Sequence, residues 1–209
     1  METIELGPVS LVISKPADMD KLLGSDVVGD RFIESAYMPY WASIWPVSRA
    51  MAAKILSHKW PKDWSVLELG CGLGLAGVAA LKAGHDVTFS DYDASALAFA
   101  KRNAELNGFP SAKILEMNWK RPVPKRFDVI IGADLTWDKD LVPHLIHVFD
   151  TMLKPRGSIW LADQNRIDSD DLARRLYKIG MRVTMAPLEL DPAWGWDISG
   201  TLYQIERSE

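Results

Sequence analysis

Apolar residues recur along the chain in two rhythms, and the changes of rhythm mark its elements. Met51, Ala52, Ile55 and Leu56 share one helical face, with Lys54 and Ser57 off it. The spacing predicts a helix that starts around Ser48 and stops before Pro61. Val66-Leu67-Glu68-Leu69 is a short buried strand running into glycines, and residues 75–83 form a helix of small residues ended by Gly84. Val87-Thr88-Phe89-Ser90 is a second strand. Residues 94–107 carry Leu97, Ala100 and Ala104 on one side and Lys101, Arg102 and Glu105 on the other, with Gly108 as the stop. Further strands are predicted near residues 112–117, 127–132 and 158–162, with helices over 141–153 and 170–179 flanking the last of these.

Strands separated by helical segments imply βαβ units and a parallel sheet covered on both faces. The final stretch differs. Residues 181–185 and 201–206 read as two strands with no helix between them, which predicts an antiparallel pair. The expected fold is therefore α/β, a doubly wound, mostly parallel seven-stranded sheet with helices on both faces and a C-terminal β-hairpin. Residues 1–36 show short apolar patches broken by Gly and Asp, and are expected to form an extension packed on a main domain of residues 37–209.

Composition narrows the picture. At 209 residues, 48% hydrophobic and 25% charged, the chain has the make-up of one globular domain. A net charge of -4 gives no basic field for nucleic acid. No apolar run approaches the roughly 20 residues of a membrane span, and the acidic start Met1-Glu2-Thr3-Ile4-Glu5 does not read as a signal peptide. Cys71 is the only cysteine, so no intramolecular disulfide forms. A cytoplasmic monomer without nucleic-acid or membrane partners is the expectation. Nine tryptophans are many for this length, and Trp41, Trp45, Trp119, Trp137, Trp194 and Trp196 fall where a site is expected.

The strongest local chemistry is the turn Glu68-Leu69-Gly70-Cys71-Gly72-Leu73-Gly74 between the first of these strands and its helix. Glycines there let a ligand lie on the backbone. A dinucleotide competes as ligand, because Gly72-Leu73-Gly74-Leu75-Ala76-Gly77 satisfies G-x-G-x-x-G. Three features bear on the choice. Glu68 lies inside the strand, where an acid suits an ammonium and not a pyrophosphate. Asp91 closes the second strand about 20 residues after the turn, where a carboxylate accepts from ribose hydroxyls of either ligand. A second domain to hold a hydride acceptor is not expected from these 209 residues. The balance favours a sulfonium nucleoside.

These residues, with Phe127-Asp128-Val129-Ile130-Ile131-Gly132-Ala133-Asp134 as the fourth strand, resemble the class I S-adenosylmethionine methyltransferases, whose sheet is Rossmann-like. Pro39-Tyr40-Trp41-Ala42-Ser43-Ile44-Trp45-Pro46 is similar to the segment preceding the cofactor fold in seven-strand protein-lysine methyltransferases, the group that includes the electron-transfer-flavoprotein β-subunit lysine methyltransferases. Asn118-Trp119 stands where that group often has Asp-Trp, and Asp134-Leu135-Thr136-Trp137 where it carries Asp-x-x-Tyr. The resemblance implies S-adenosylmethionine as cofactor. Glu68, Gly70, Gly72 and Gly74 would surround its methionine part and ribose, with Cys71 a small filler beneath. Asp91 would take the ribose hydroxyls, Tyr92 the adenine face and Asn118 the adenine amino edge, with Trp119 beside it. Trp45 and Ala133 complete the cofactor set, and Asp134 and Trp137 are the candidate catalytic pair.

The resemblance points to the amine of a protein lysine as methyl acceptor, and a small-molecule amine or hydroxyl is the alternative. The aromatic, acidic run over residues 189–197 would close a pocket in either case. His144 and His147, three apart, with His58 and His85 elsewhere, make no metal-ligand set. No metal is expected.

Overall fold

The computed structural model describes all residues except 26, 27, 31, 33–36, 192–198 and 209. Residues 192–198 are the greater part of the run expected to close the pocket, including Trp194 and Trp196, and lie outside this description. Among the described residues, a hairpin of β1 (Glu2–Leu6) and β2 (Val9–Ile13) and the short helix α1 (Met19–Leu23) precede the main fold. Then come α2 (Pro46–Ser57), β3 (Ser65–Leu69), α3 (Leu75–Lys82), β4 (Asp86–Asp91), α4 (Ala94–Leu106) and β5 (Lys113–Glu116). β6 (Phe127–Ala133), α5 (Val142–Met152), β7 (Leu153–Asp163), α6 (Ser169–Tyr177), β8 (Met181–Leu188) and β9 (Gly200–Arg207) follow.

The main sheet has seven strands in the order β5-β4-β3-β6-β7-β9-β8. The first five are parallel, and β9 runs antiparallel to both β7 and β8. Chain order reverses between β3 and β4 on one side and β3 and β6 on the other. Ligands of doubly wound sheets bind at the strand C-termini beside such a switch point.

Alternation along each strand divides the core. Val66, Phe89, Val129, Ile131 and Trp160 pack with α2, α3, α4 and the N-terminal hairpin. Leu67, Leu69, Ile130, Ile159 and Leu161 pack with α5 and α6. Burial on both faces explains why adjacent residues such as Val66 and Leu67, or Val129, Ile130 and Ile131, are all apolar.

Three elements differ from the sequence reading. The first 13 residues hold a β-hairpin, because Ile4, Leu6, Leu11 and Ile13 alternate about the Gly7-Pro8 turn and all four are buried. Helix α2 begins at Pro46, which occupies its first turn, where a missing N–H costs nothing. Strand β7 begins at Leu153, directly after α5, and a bulge opposite Phe127 and Val129 absorbs the extra length.

Asn103, fully buried on α4, ties the hairpin segment to the glycine turn after β3. Its Oδ1 accepts from the Ser14 amide at 2.7 Å, and its Nδ2 donates to the Ser14 carbonyl at 3.0 Å and to the Leu73 carbonyl at 2.8 Å.

Candidate active site

The C-terminal ends of β3, β4 and β6 open into a cleft of about 570 Å³. Every residue assigned above to the cofactor or to catalysis lines it: Trp45, the turn of Glu68, Gly70, Cys71, Gly72 and Gly74, Asp91 with Tyr92, Asn118 with Trp119, and Ala133, Asp134 and Trp137.

Gly70, Gly72 and Gly74 have φ of 58°, 51° and 78°, a region that disfavours side chains. Protein also fills the space their Cβ atoms would take. A Cβ on Gly70 would meet Leu135 at 2.7 Å and Trp119 at 3.1 Å, and one on Gly74 would meet Ala100 at 2.9 Å. These glycines therefore serve close packing as well as ligand approach. The Cys71 amide donates to the Ser90 carbonyl, the Gly72 amide to Asp91 Oδ2 and the Gly74 amide to the Cys71 carbonyl. With those three amides committed, and two buried carboxyls at the turn, the floor offers poor support to a pyrophosphate.

Glu68 is 5% exposed, and its Oε2 has no hydrogen-bond partner. Burial pushes its carboxyl up to about 8, against the opposing backbone N–H groups of Gly77 and Ala76 at the start of α3. A buried carboxyl that is neutral on its own ionises on meeting a cation, and an amino-acid ammonium is such a cation. Asp91 is also buried, which raises its pKa, while the amides of Gly72 at 3.0 Å and Asp93 at 3.1 Å hold it in place. The residues present thus fit a nucleoside that carries an ammonium. Burial raises Cys71 well above the ordinary thiol range, which removes it from nucleophile chemistry at neutral pH.

On the rim, Asn118 Oδ1 accepts from the Lys120 amide at 2.9 Å, so this residue shapes a turn as well as lining the cleft. Tyr92 and Trp137 are half exposed. The Trp45 indole donates to the Tyr40 carbonyl at 3.1 Å, and the Tyr40 ring lies 5.0 Å from that of Trp137.

Asp134 follows β6 with φ of 58° and is 7% exposed. It caps no helix. Its Oδ1 accepts from Arg166 Nε at 3.0 Å, and its Oδ2 accepts from Arg166 Nη2 at 3.2 Å and Gln164 Nε2 at 2.7 Å. Burial raises its pKa, and the Arg166 guanidinium works against that rise. Asp163, buried beside it, accepts from Thr136 Oγ1 and, at 2.6 Å, from the Arg166 amide.

Sequence reasoning missed Arg166, Gln164 and Tyr37. The Tyr37 hydroxyl donates to Asp93 at 2.5 Å and accepts from the Trp41 indole at 3.0 Å, which fixes the segment forming the Trp45 wall. The signal for Arg166 and Gln164 was the polar run Asp163-Gln164-Asn165-Arg166 at the C-terminal end of a buried strand, where sites of this architecture form.

A lysine methyltransferase family model matches residues 40–173, more than half of the chain. The rat (Rattus norvegicus) histone-arginine methyltransferase METTL23 is 29% identical over 164 residues, 73% of this chain and 72% of that protein. The electron transfer flavoprotein beta subunit lysine methyltransferase of Danio rerio is 29% identical over 146 residues, 68% of this chain and 57% of that protein, so the match spans just over half of this relative. Among solved structures, magnesium protoporphyrin IX methyltransferase from Synechocystis PCC 6803, with bound SAM, superposes with a TM-score of 0.65 over 92% of this chain and 100% of that one. At 14% identity that likeness concerns the fold.

Proposed function

The chain belongs to the lysine methyltransferase family and is an S-adenosylmethionine-dependent methyltransferase, and from that premise we propose that its acceptor is the side-chain amine of a lysine in a protein substrate. One observation carries the reading: the buried Asp134 carboxylate lines the same cleft as the glycine turn and the rings of Trp45 and Trp137. A carboxylate and aromatic rings in one cleft suit a cationic side chain on a long aliphatic stem.

In this reading Glu68 holds the cofactor's ammonium, Asp91 accepts from its ribose hydroxyls, and Tyr92, Asn118 and Trp119 flank its base. The cofactor supplies a methyl group on a positively charged sulfur, an electrophile with a good leaving group. The protein's own work is alignment and exclusion of water. A lysine ammonium, pKa about 10.4, must shed a proton before its lone pair can attack. Asp134 orients the nitrogen by accepting one of its hydrogens, Trp45 and Trp137 guide the alkyl stem, and the released proton passes to water at the rim. Residues 1–36 serve as an extension laid on a domain of residues 37–209.

A small-molecule acceptor is not favoured by this family. A protein arginine is the second reading, because the seat at Asp134 and Trp45 already accommodates the guanidinium of Arg166. The test is incubation of the protein with methyl-labelled cofactor and a cell lysate, followed by separation of proteins from small molecules. Label is expected in a protein and, after hydrolysis, in methylated lysine. Label confined to the small-molecule fraction would overturn the reading, and methylated arginine would select the second.

A further inference from the structure

The Arg166 guanidinium already occupies the place that the proposed function assigns to a substrate cation. It grips both oxygens of Asp134, at 3.0 and 3.2 Å, and its central carbon lies 5.7 Å from the centre of the Trp45 ring. A carboxylate and an aromatic face are the two handles by which a cationic side chain is recognised. One cation holds both.

The surroundings make this hold reversible. The Asp134 side chain is 4% exposed, whereas that of Arg166 is 38% exposed, so only the cation has a route to water. The Arg166 amide is fixed to Asp163 Oδ1 at 2.6 Å, and Asp168 caps α6 just beyond. The main chain is anchored on both sides of a long side chain that swings by rotating its own bonds. Gln164 remains on Asp134 Oδ2 at 2.7 Å, so the carboxylate stays oriented when Arg166 leaves.

We propose that Arg166 is a specificity-determining residue, an internal competitor that an acceptor's cation must displace from Asp134 and Trp45. The inference rests on the amine-acceptor reading above. It implies that a weakly held cation, arriving alone, is rejected, while a side chain docked through the rest of its protein pushes Arg166 aside. Free amines are then poor ligands because the seat is taken, and protein-borne amines are selected.

The test uses n-butylamine, a mimic of the lysine side chain, titrated onto protein loaded with S-adenosylhomocysteine and followed by tryptophan fluorescence. Arg166→Ala and Arg166→Gln are compared with the unaltered chain, and thermal unfolding establishes that each variant is folded. Where the alanine variant does not fold, the glutamine variant carries the test. Titrations are repeated near pH 9, where an amine of pKa about 10.4 is still largely charged and an unpaired Asp134 is ionised. Removal of the competitor should tighten binding by about tenfold or more, as loss of a bidentate charged partner implies, and adding Asp134→Asn should erase the gain. Binding that is measurable but equal or weaker in both variants overturns the competitor role and leaves the amine-acceptor reading standing. No binding to any form, with S-adenosylhomocysteine still bound, overturns both.

Discussion

Gly77→Ala sets helix propensity against packing, and the structure decides the sign. Gly77 sits within α3, where exchange of glycine for alanine ordinarily stabilises a helix by about 1 kcal/mol. Here a Cβ would stand 2.4 Å from Phe89 Cε1, 3.0 Å from Phe89 Cδ1 and 2.4 Å from Glu68 Oε2. The first and last distances lie about 1 Å inside van der Waals contact. Phe89 is fully buried in β4, and Glu68 is locked beneath α3, so neither side chain can retreat into solvent. Overpacking of this kind costs about 1–3 kcal/mol. The propensity gain offsets only part of it, leaving a net loss of about 1–2 kcal/mol. Urea unfolding should show a lower midpoint with an unchanged slope. Calorimetry should show weaker binding of S-adenosylhomocysteine, because the carboxyl proposed to meet its ammonium has been displaced. A midpoint equal to or above that of the parent protein would refute this account of how α3 is seated.

Other perturbations probe the remaining parts of the site. Glu68 is raised from 4.5 to about 8, so the folded protein holds a proton that the unfolded chain releases. The stabilisation is fully present below about pH 4.5 and is lost as pH rises toward about 8; urea midpoints of the ligand-free protein should fall across that window, and Glu68→Gln should flatten the fall. Asp134→Asn keeps a residue tolerant of the left-handed backbone, so labelled-methyl transfer should drop by about 100-fold or more while S-adenosylhomocysteine affinity changes only a few-fold. Asn103→Ala removes three buried hydrogen bonds and should lower unfolding stability by about 2–4 kcal/mol, measured in urea.

Much of the fold was legible because two-sided burial leaves a direct trace. Val66 and Leu67 face opposite layers, both are fully buried, and apolar residues therefore stand next to each other along the strand. The floor of the cleft was legible for a local reason: Glu68, the glycines and Asp91 belong to one βαβ unit whose spacing the chain fixes. The acceptor side was only half legible. Asp134 and Arg166 are separated by 32 residues, and no local spacing relates them. They meet because β6 and β7 pair in parallel with Ala133 opposite Ala162, which sets the residues after each strand side by side. The N-terminal hairpin escaped because Glu2, Thr3, Glu5 and Ser10 stand among its buried residues, Ile4, Leu6, Leu11 and Ile13, so the segment reads as broken apolar patches.

In the proposed reading the floor of the cleft grips a sulfonium nucleoside through Asp91 and Glu68. Isothermal titration with S-adenosylhomocysteine and, separately, with a nicotinamide dinucleotide tests it most directly, on the parent chain and on Asp91→Ala. The prediction is one site for the sulfur nucleoside, weakened at least about tenfold by the substitution, and no heat from the dinucleotide. Saturable binding of the dinucleotide, with silence from the sulfur nucleoside, would contradict it.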